Sequence, residues 1–509
     1  MGGPIHPRKA WAFAVPEEGR YLLLNATVPV ALVCGLCGPA PVMDSHGLAR
    51  LDFLVEGGAI TWAGAAGSFP GGEPPPVVDL SGGMVLPTFV DLHTHIDKGH
   101  TCERSPNPTG SLGGADQSTA ADLRFWDLAD VERRMEFSLR CAYAHGTSAL
   151  RTHLINLVPK QVELTWAAFR KVRRRWAGRV ELQAVSLVVL SFFRDEEGSR
   201  RLADIVQREG GVLGCAVCCS ELGGCDGDEW TTCNGDRNEL LDRVFSLAAE
   251  RGLMLDFHVD ENGNEAARGL RSICEATVRH SYQGRVVCGH CCSLALQPPA
   301  ELARTLSLAR RARVTVVSLP LVNEWTQDRD PEGLRTPRWR GITCLKELHA
   351  AGVSVAVASD NTRDQFYSYG DLDMLEVLAQ SVRLGHLDRP SMEAWPRAAT
   401  SGPAAAMGLQ GSHGSLRVGG AADMILFRAR NYSELFSRSQ HDRVVVRGGA
   451  PIDAVCPDYS ELDAGDGRGG ADSESNPGAG AIVSHTASAQ PFVGAVMARA
   501  LAGAPGPSS

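Results

Sequence analysis

Acidic and histidine residues recur where short apolar runs end. His93 and His95 sit two apart in DLHTHIDKGH, and His258 closes LMLDFH with Glu261 three residues on. His290 closes RVVCGH, and Asp360 follows VSVAVAS. Imidazoles and carboxylates are the donors of divalent transition-metal centres, and they also move protons near neutral pH. Histidines at i and i+2 on a strand point to one face, which makes His93 and His95 a candidate ligand pair. His258 is a candidate third imidazole, and Asp360 a carboxylate that binds the metal and orients water. Three nitrogens and one oxygen suit zinc or iron(II). Glu261 is the candidate proton shuttle to a substrate nitrogen. His290 is the candidate partner of a developing oxyanion, or a second proton carrier. Each has a plainer reading taken alone: a hydrogen-bonded core histidine, a loop-capping aspartate, a solvated loop glutamate. Their shared placement at strand ends joins them. The fourth candidate strand, GVLGCAV, offers no bridging lysine, so one metal is expected rather than two.

This set predicts hydrolysis by metal-activated water. A bound divalent cation lowers the pKa of water and supplies hydroxide. Attack on an amidine-like carbon, with Glu261 protonating a ring nitrogen and His290 steadying the oxyanion, would expel ammonia or an amine. The leading expectation is deamination of a nitrogen heterocycle that is cytosine-like, a pterin or a triazine. The same groups could open a cyclic amide. A third reading, from another class, is a barrel kept as a non-catalytic metal-binding scaffold.

Such residues need a frame. Between about 88 and 390, strand-like runs at 88–93, 148–153, 181–189, 211–216, 253–258, 285–289, 313–318 and 353–359 alternate with amphipathic helical runs such as VERRMEFSLRCAYAHG. Eight such units predict a (β/α)8 barrel, with a doubly wound sheet as competitor. Polar residues at the ends of several different strands favour the barrel. Short strands before it, and SLRVGGAADMILFRA and HDRVVVRGGAPI after it, predict a small β-sandwich built from both chain ends. The expected division is 20–85 and 395–455 for the sandwich, 86–394 for the barrel, and 456–509 for a flexible acidic linker and tail. The last stretch, PFVGAVMARALAGA, reads as a short docking helix.

Composition narrows the partners. With 509 residues and 44% hydrophobic content the chain can bury a large core, and 55 glycines with 28 prolines imply many loops. A net charge of -9 argues against a nucleic-acid binder. The basic run KVRRRW reads as the solvated face of a helix. LLLNATVPVALVCGLCGPA is too short and irregular for a membrane span, and Asn25 suggests a strand with an irregular insertion. Fifteen cysteines form no convincing framework. A zinc knuckle from Cys215, Cys218, Cys219, Cys225 and Cys233 is conceivable, but free thiols in a reducing, cytoplasmic compartment are expected for these and for Cys288, Cys291 and Cys292. One sequence leaves organelle targeting open.

These residues bring the chain to a family. DLHTHIDKGH, RTHLIN, HVDEN, PLVNEW, RWRGIT and SDNTRDQF, in that order, make it resemble the amidohydrolase superfamily, in the cytosine-deaminase-like group that includes isopropylammelide hydrolases. The resemblance spans roughly residues 20–450 and implies a metal-bearing barrel joined to a β-sandwich. It implies His93, His95, His258 and Asp360 as ligands, Glu261 as proton carrier and His290 beside the activated water. Phe366 takes the place of an aromatic lid. Lys98, Asn156 and Asn323 are further pocket candidates, with a surface ion pair as the alternative for Lys98. A homo-oligomer is expected on the same basis. Two departures weaken the case for cytosine itself. Val189 stands nearest the position of a substrate-reading glutamine and has no amide to offer. Ser359 stands where cytosine deaminases carry histidine.

Overall fold

The computed structural model describes residues 13–71, 75–156, 158–217, 236–330, 332–439 and 442–465. Strands β1 (Arg20–Pro29), β2 (Val33–Cys34), β3 (Leu48–Glu56), β4 (Ala59–Ala65), β5 (Val77–Asp79) and β6 (Val85–Pro87) come first. The barrel strands follow: β7 (Phe89–Thr94), β8 (Thr147–Ile155), β9 (Glu181–Val189), β10 (Leu213–Val217), β11 (Leu255–Val259), β12 (Val286–His290), β13 (Thr315–Ser318) and β14 (Ser354–Val357). They pair in parallel and in chain order, from β7 to β14. A bridge between Thr94 and Asp360 closes the ring. All eight strands expected from the sequence are present, and the barrel replaces the doubly wound alternative.

The local reasons are ordinary. The strands are rich in Val, Leu and Ala, as suits a sheet buried on both faces. The helices around them begin at side-chain caps: Ser111 for α1 (Leu112–Asp122) and Asp127 for α2 (Leu128–Ala144). KVRRRW does lie at the end of a helix, Pro159–Trp176. The largest buried cluster joins these helices to the strands, with Trp166, Phe169, Trp176, Phe245 and Phe257 among its members. A smaller one sets Ala404 and Met407 against Val287, Val317 and Ala356. Beside it, Arg151 and Gln183 donate to the carbonyls of Ala406 and Met407.

Strands β15 (Leu416–Arg417), β16 (Met424–Leu426), β17 (Val444–Arg447) and β18 (Ala450–Pro451) complete the smaller sheets. β16 pairs with β6, and β15 with β2, so both ends of the chain contribute, as expected. β1 bulges between Leu23 and Ala26, where Asn25 has φ 59°. That is the irregularity anticipated there. One expectation needs correcting. The linker was expected to start at 456, yet the short helical turn Tyr459–Gly465 docks on the barrel. Tyr459 stacks on Phe137, and Glu461 pairs with Arg140 of α2. The knuckle residues Cys218, Cys219, Cys225 and Cys233 lie outside the described residues, as do the rest of the tail and its expected docking helix. The cysteines among the described residues are free thiols. Among the described residues, no helix is long and apolar enough to cross a membrane.

Candidate active site

The expected residues meet at the C-terminal mouth of the barrel. His93 and His95 leave β7 on one face, and each places Nε2 3.1 Å from Nε2 of His258 on β11. Asp360 Oδ1 lies 3.6 Å from His93 Nε2 and 3.2 Å from His95 Nε2. Asp360 is bonded through its backbone to β7, donating to the His93 carbonyl, while its own carbonyl accepts from His95. Its φ of 64° turns the chain sharply at the strand end. His290 (69°) and Asp260 (53°) make the same turn. Such backbone costs about 1–3 kcal/mol per residue and collects where side chains must be aimed. Gly289 has a local reason too: a Cβ there would stand 2.8 Å from His93 Cε1.

The cluster fits a divalent metal ion. The Nε2 atom of His258 stands 3.1 Å from Nε2 of both His93 and His95, so the lone pairs of three imidazoles are crowded together. Both carboxylate oxygens of Asp360 are buried without a donor. Burial, with mutual repulsion, holds His93 and His95 well below the ordinary imidazole range, so they are neutral donors. Spacings of 3.1–3.6 Å are near the ~3.3 Å edges of a tetrahedron with bonds of ~2.0–2.1 Å. A cation among these four would satisfy every one of them.

Beside this cluster lies a second group. Asn323, from the short helix Pro320–Thr326, donates from its amide nitrogen to Nδ1 of His290 at 3.1 Å and to Oε1 of Glu261 at 3.3 Å. Burial drives His290 down to about 3, so the ring is neutral. With Nδ1 accepting, its one proton sits on Nε2, which has no protein partner. That N–H is therefore free to donate. Glu261 Oε1 is 3.2 Å from His290 Nδ1, and the side chain keeps 17% exposure. Burial, and then the charge of Asp360, raises the Glu261 pKa well above the carboxylate range. A carboxyl held protonated in this way is a proton donor.

The other candidates divide. Lys98 is buried, not part of a surface ion pair. Its ammonium stands 3.5 Å from the centroid of the Phe366 ring and 3.7 Å from Asp364 Oδ2. Asn156 is fully engaged in the barrel wall, bonding the Ile155 carbonyl, Thr165 and Trp166. Val189 is half-buried at the end of β9 and pairs with Ala216 through the sheet. Ser359 turns its hydroxyl to Asp91, at 2.5 Å. Burial, against those bonds, raises Asp91 to about 7.

Sequence reasoning missed His153. Its ring stacks on His93 with centroids 3.9 Å apart, and its donor nitrogen lies within 4.8 Å of those of His93 and His95. Asp256 Oδ1 lies 3.4 Å from His153 Nε2, and its other oxygen accepts from Arg151 at 2.9 Å. RTHLIN at the end of β8 was the available signal, and so was the i, i+2 spacing of Asp256 and His258.

Comparison with known proteins gives the relationship. Residues 211–452 match the model of the amidohydrolase family. A pterin deaminase of Rhizobium rhizogenes is 45% identical over 88% of this chain and 97% of its own length. The N-isopropylammelide isopropyl amidohydrolase of Pseudomonas sp. is 25% identical over 69% of this chain and 81% of its own. Among solved structures, a 5-methylcytosine deaminase of Klebsiella pneumoniae superposes with a TM-score of 0.71, at 20% identity, over 85% of this chain and 97% of its own. Sequence relationship and barrel-mouth cluster agree: the chain belongs to the amidohydrolase superfamily, in its cytosine-deaminase-like, isopropylammelide-hydrolase-related group, and is a hydrolase of carbon–nitrogen bonds.

Proposed function

We propose that this enzyme deaminates a pterin-like bicyclic ring. The observation that carries the reading is 45% identity to a pterin deaminase across nearly that protein's full length. The site supports it. His93, His95, His258 and Asp360 would hold one divalent cation, zinc or iron(II), which supplies hydroxide at neutral pH. Asp360, which has no other hydrogen-bond donor on its carboxylate, takes a proton from the attacking water. Glu261, kept protonated by burial, delivers a proton to the ring nitrogen of the amidine and relays another to the departing amine. His290 presents its Nε2–H to the oxygen that gains charge, as Asn323 fixes the ring. Lys98 and Phe366 form a cation–aromatic pair that would bound the ring-binding space. Val189 contributes an apolar wall where an amide would have read a smaller ring. Asn156 acts through the wall rather than on substrate. A homo-oligomer, and the division into barrel and sandwich at 86 and 395, belong to the same proposal.

The test is ammonia release from pterin, cytosine and N-isopropylammelide by zinc-loaded and iron-loaded enzyme. Release from pterin with the corresponding change in ring absorbance supports the reading. Ammonia from cytosine alone, or isopropylamine from the ammelide alone, overturns it.

A further inference from the structure

A second donor cluster shares no residue with the barrel-mouth set. Cys141 and His145 are four apart at the end of α2, so they share a helix face. Asp371 comes from the loop after β14, and Cys456 from the segment after β18. His145 Nε2 is 2.8 Å from Asp371 Oδ2 and 3.4 Å from Cys456 Sγ. These three atoms lie within 4.8 Å of one another. Cys141, one turn before His145 on the same helix, stands beside Cys456 and Asp371, near enough for the side chains to interact.

We propose that Cys141, His145, Asp371 and Cys456 form a structural site for a thiophilic divalent cation, zinc above all. Two sulfurs, one imidazole and one carboxylate are zinc donors, and four protein ligands close the coordination shell without leaving a position for water. Among His145, Asp371 and Cys456 the spacings of 2.8 and 3.4 Å are already close to those that bonds of ~2.0–2.3 Å impose, and Cys141 is the neighbouring thiol that completes the four. The supporting shell is present as well. His145 Nδ1 is 3.8 Å from Asp373 Oδ2, and Asp373 is gripped by Arg443 at 2.5 and 2.8 Å. At that separation Asp373 acts on the imidazole through its charge rather than through a hydrogen bond. Cys456 is exposed, so the cation has a route in. The site joins three parts of the chain: helix α2, the loop that carries Arg363, Asp364 and Phe366, and the segment leading to Tyr459.

Cobalt(II) separates this site from the barrel-mouth cluster, which contains no sulfur ligand. Full-length protein loaded with cobalt should show a thiolate-to-cobalt charge-transfer band. Cys456→Ser and Cys141→Ser should each abolish the band and lower bound zinc by one equivalent per chain. Neither cysteine belongs to the catalytic set. His95→Ala, which disables the barrel-mouth cluster, should keep the band. Absence of the band in the parent protein overturns the proposal, as does its persistence in both cysteine variants. Unchanged zinc content in Cys456→Ser overturns it too; the cluster is then a metal-free ion pair of His145 with its acidic neighbours.

Discussion

At the residue scale, chemistry rests on a few groups held out of water. Asp360→Asn keeps the shape but loses the base; kcat should fall about 100-fold or more at equal metal content, measured by ammonia release alongside metal analysis. In the proposed mechanism Glu261 acts as an acid and so must be protonated. Burial raises its pKa, so the acid form persists toward neutrality and turnover declines as pH climbs through that raised value. In Glu261→Gln the alkaline limb of the pH–rate profile should vanish along with most activity; a limb that survives points to another acid. Gly289→Ala should push the His93 ring and weaken metal binding about 10-fold or more, read by chelator competition. His93, His95, His258, His290 and Asp360 were legible because each stands at the end of an apolar run. His153 was not, since a single histidine in RTHLIN has no local partner: its neighbours come from β7 and β11. Asn156 shows that a polar residue just past a strand end can bond within the wall, here to Ile155, Thr165 and Trp166.

At the scale of elements, the loop after β7 is anchored by an ion network. Arg104 bonds Asp122 and Asp130 at 2.8 Å each, and Arg134 bonds Asp130 at 2.8 Å and the Asp97 carbonyl. The network ties α1 and α2 to the segment between His95 and Lys98. Burial pushes the Asp130 carboxyl upward, but Arg104 and Arg134 outweigh it and hold it at about 2. A lowered folded value means the stabilisation is present above the ordinary 3.8 and is lost as pH falls through about 2. Asp130→Asn weakens the bonds of Arg104, Arg133 and Arg134 to this side chain and should cost about 3 kcal/mol, seen in denaturant unfolding at pH 7, with a smaller loss at pH 2. An equal loss at both pH values would place the effect elsewhere. Barrel elements were legible because strand runs of Val, Leu and Ala alternate with 3.6-period helices. The docked turn Tyr459–Gly465 was not. Its sequence is short and acidic, and the contacts that hold it, with Phe137, Arg140, Arg363 and Asp371, are all distant in the chain.

At the scale of the whole molecule, the smaller sheets depend on both ends. Met424, Leu426 and Val446 share one core with Tyr21, Leu23 and Val85. Ending the chain at residue 415 removes β15 to β18 and bares that core. We expect aggregation, with dye binding to apolar surface, in place of a single folded species on size exclusion; a monodisperse product would show that the barrel alone suffices. The barrel closes where β7 meets the segment just after β14. There Asp91 and Ser359, 268 residues apart, are hydrogen-bonded one layer beneath the His93–Asp360 contact. During synthesis on the ribosome, the His93–His95 pair emerges early and waits for most of the chain. Until the final barrel strand leaves the exit tunnel, a cation meets only imidazoles, without the carboxylate. If these four residues hold the cation, tight loading must await closure of the ring, and a loaded centre would report that the last strand has joined the first in the correct register.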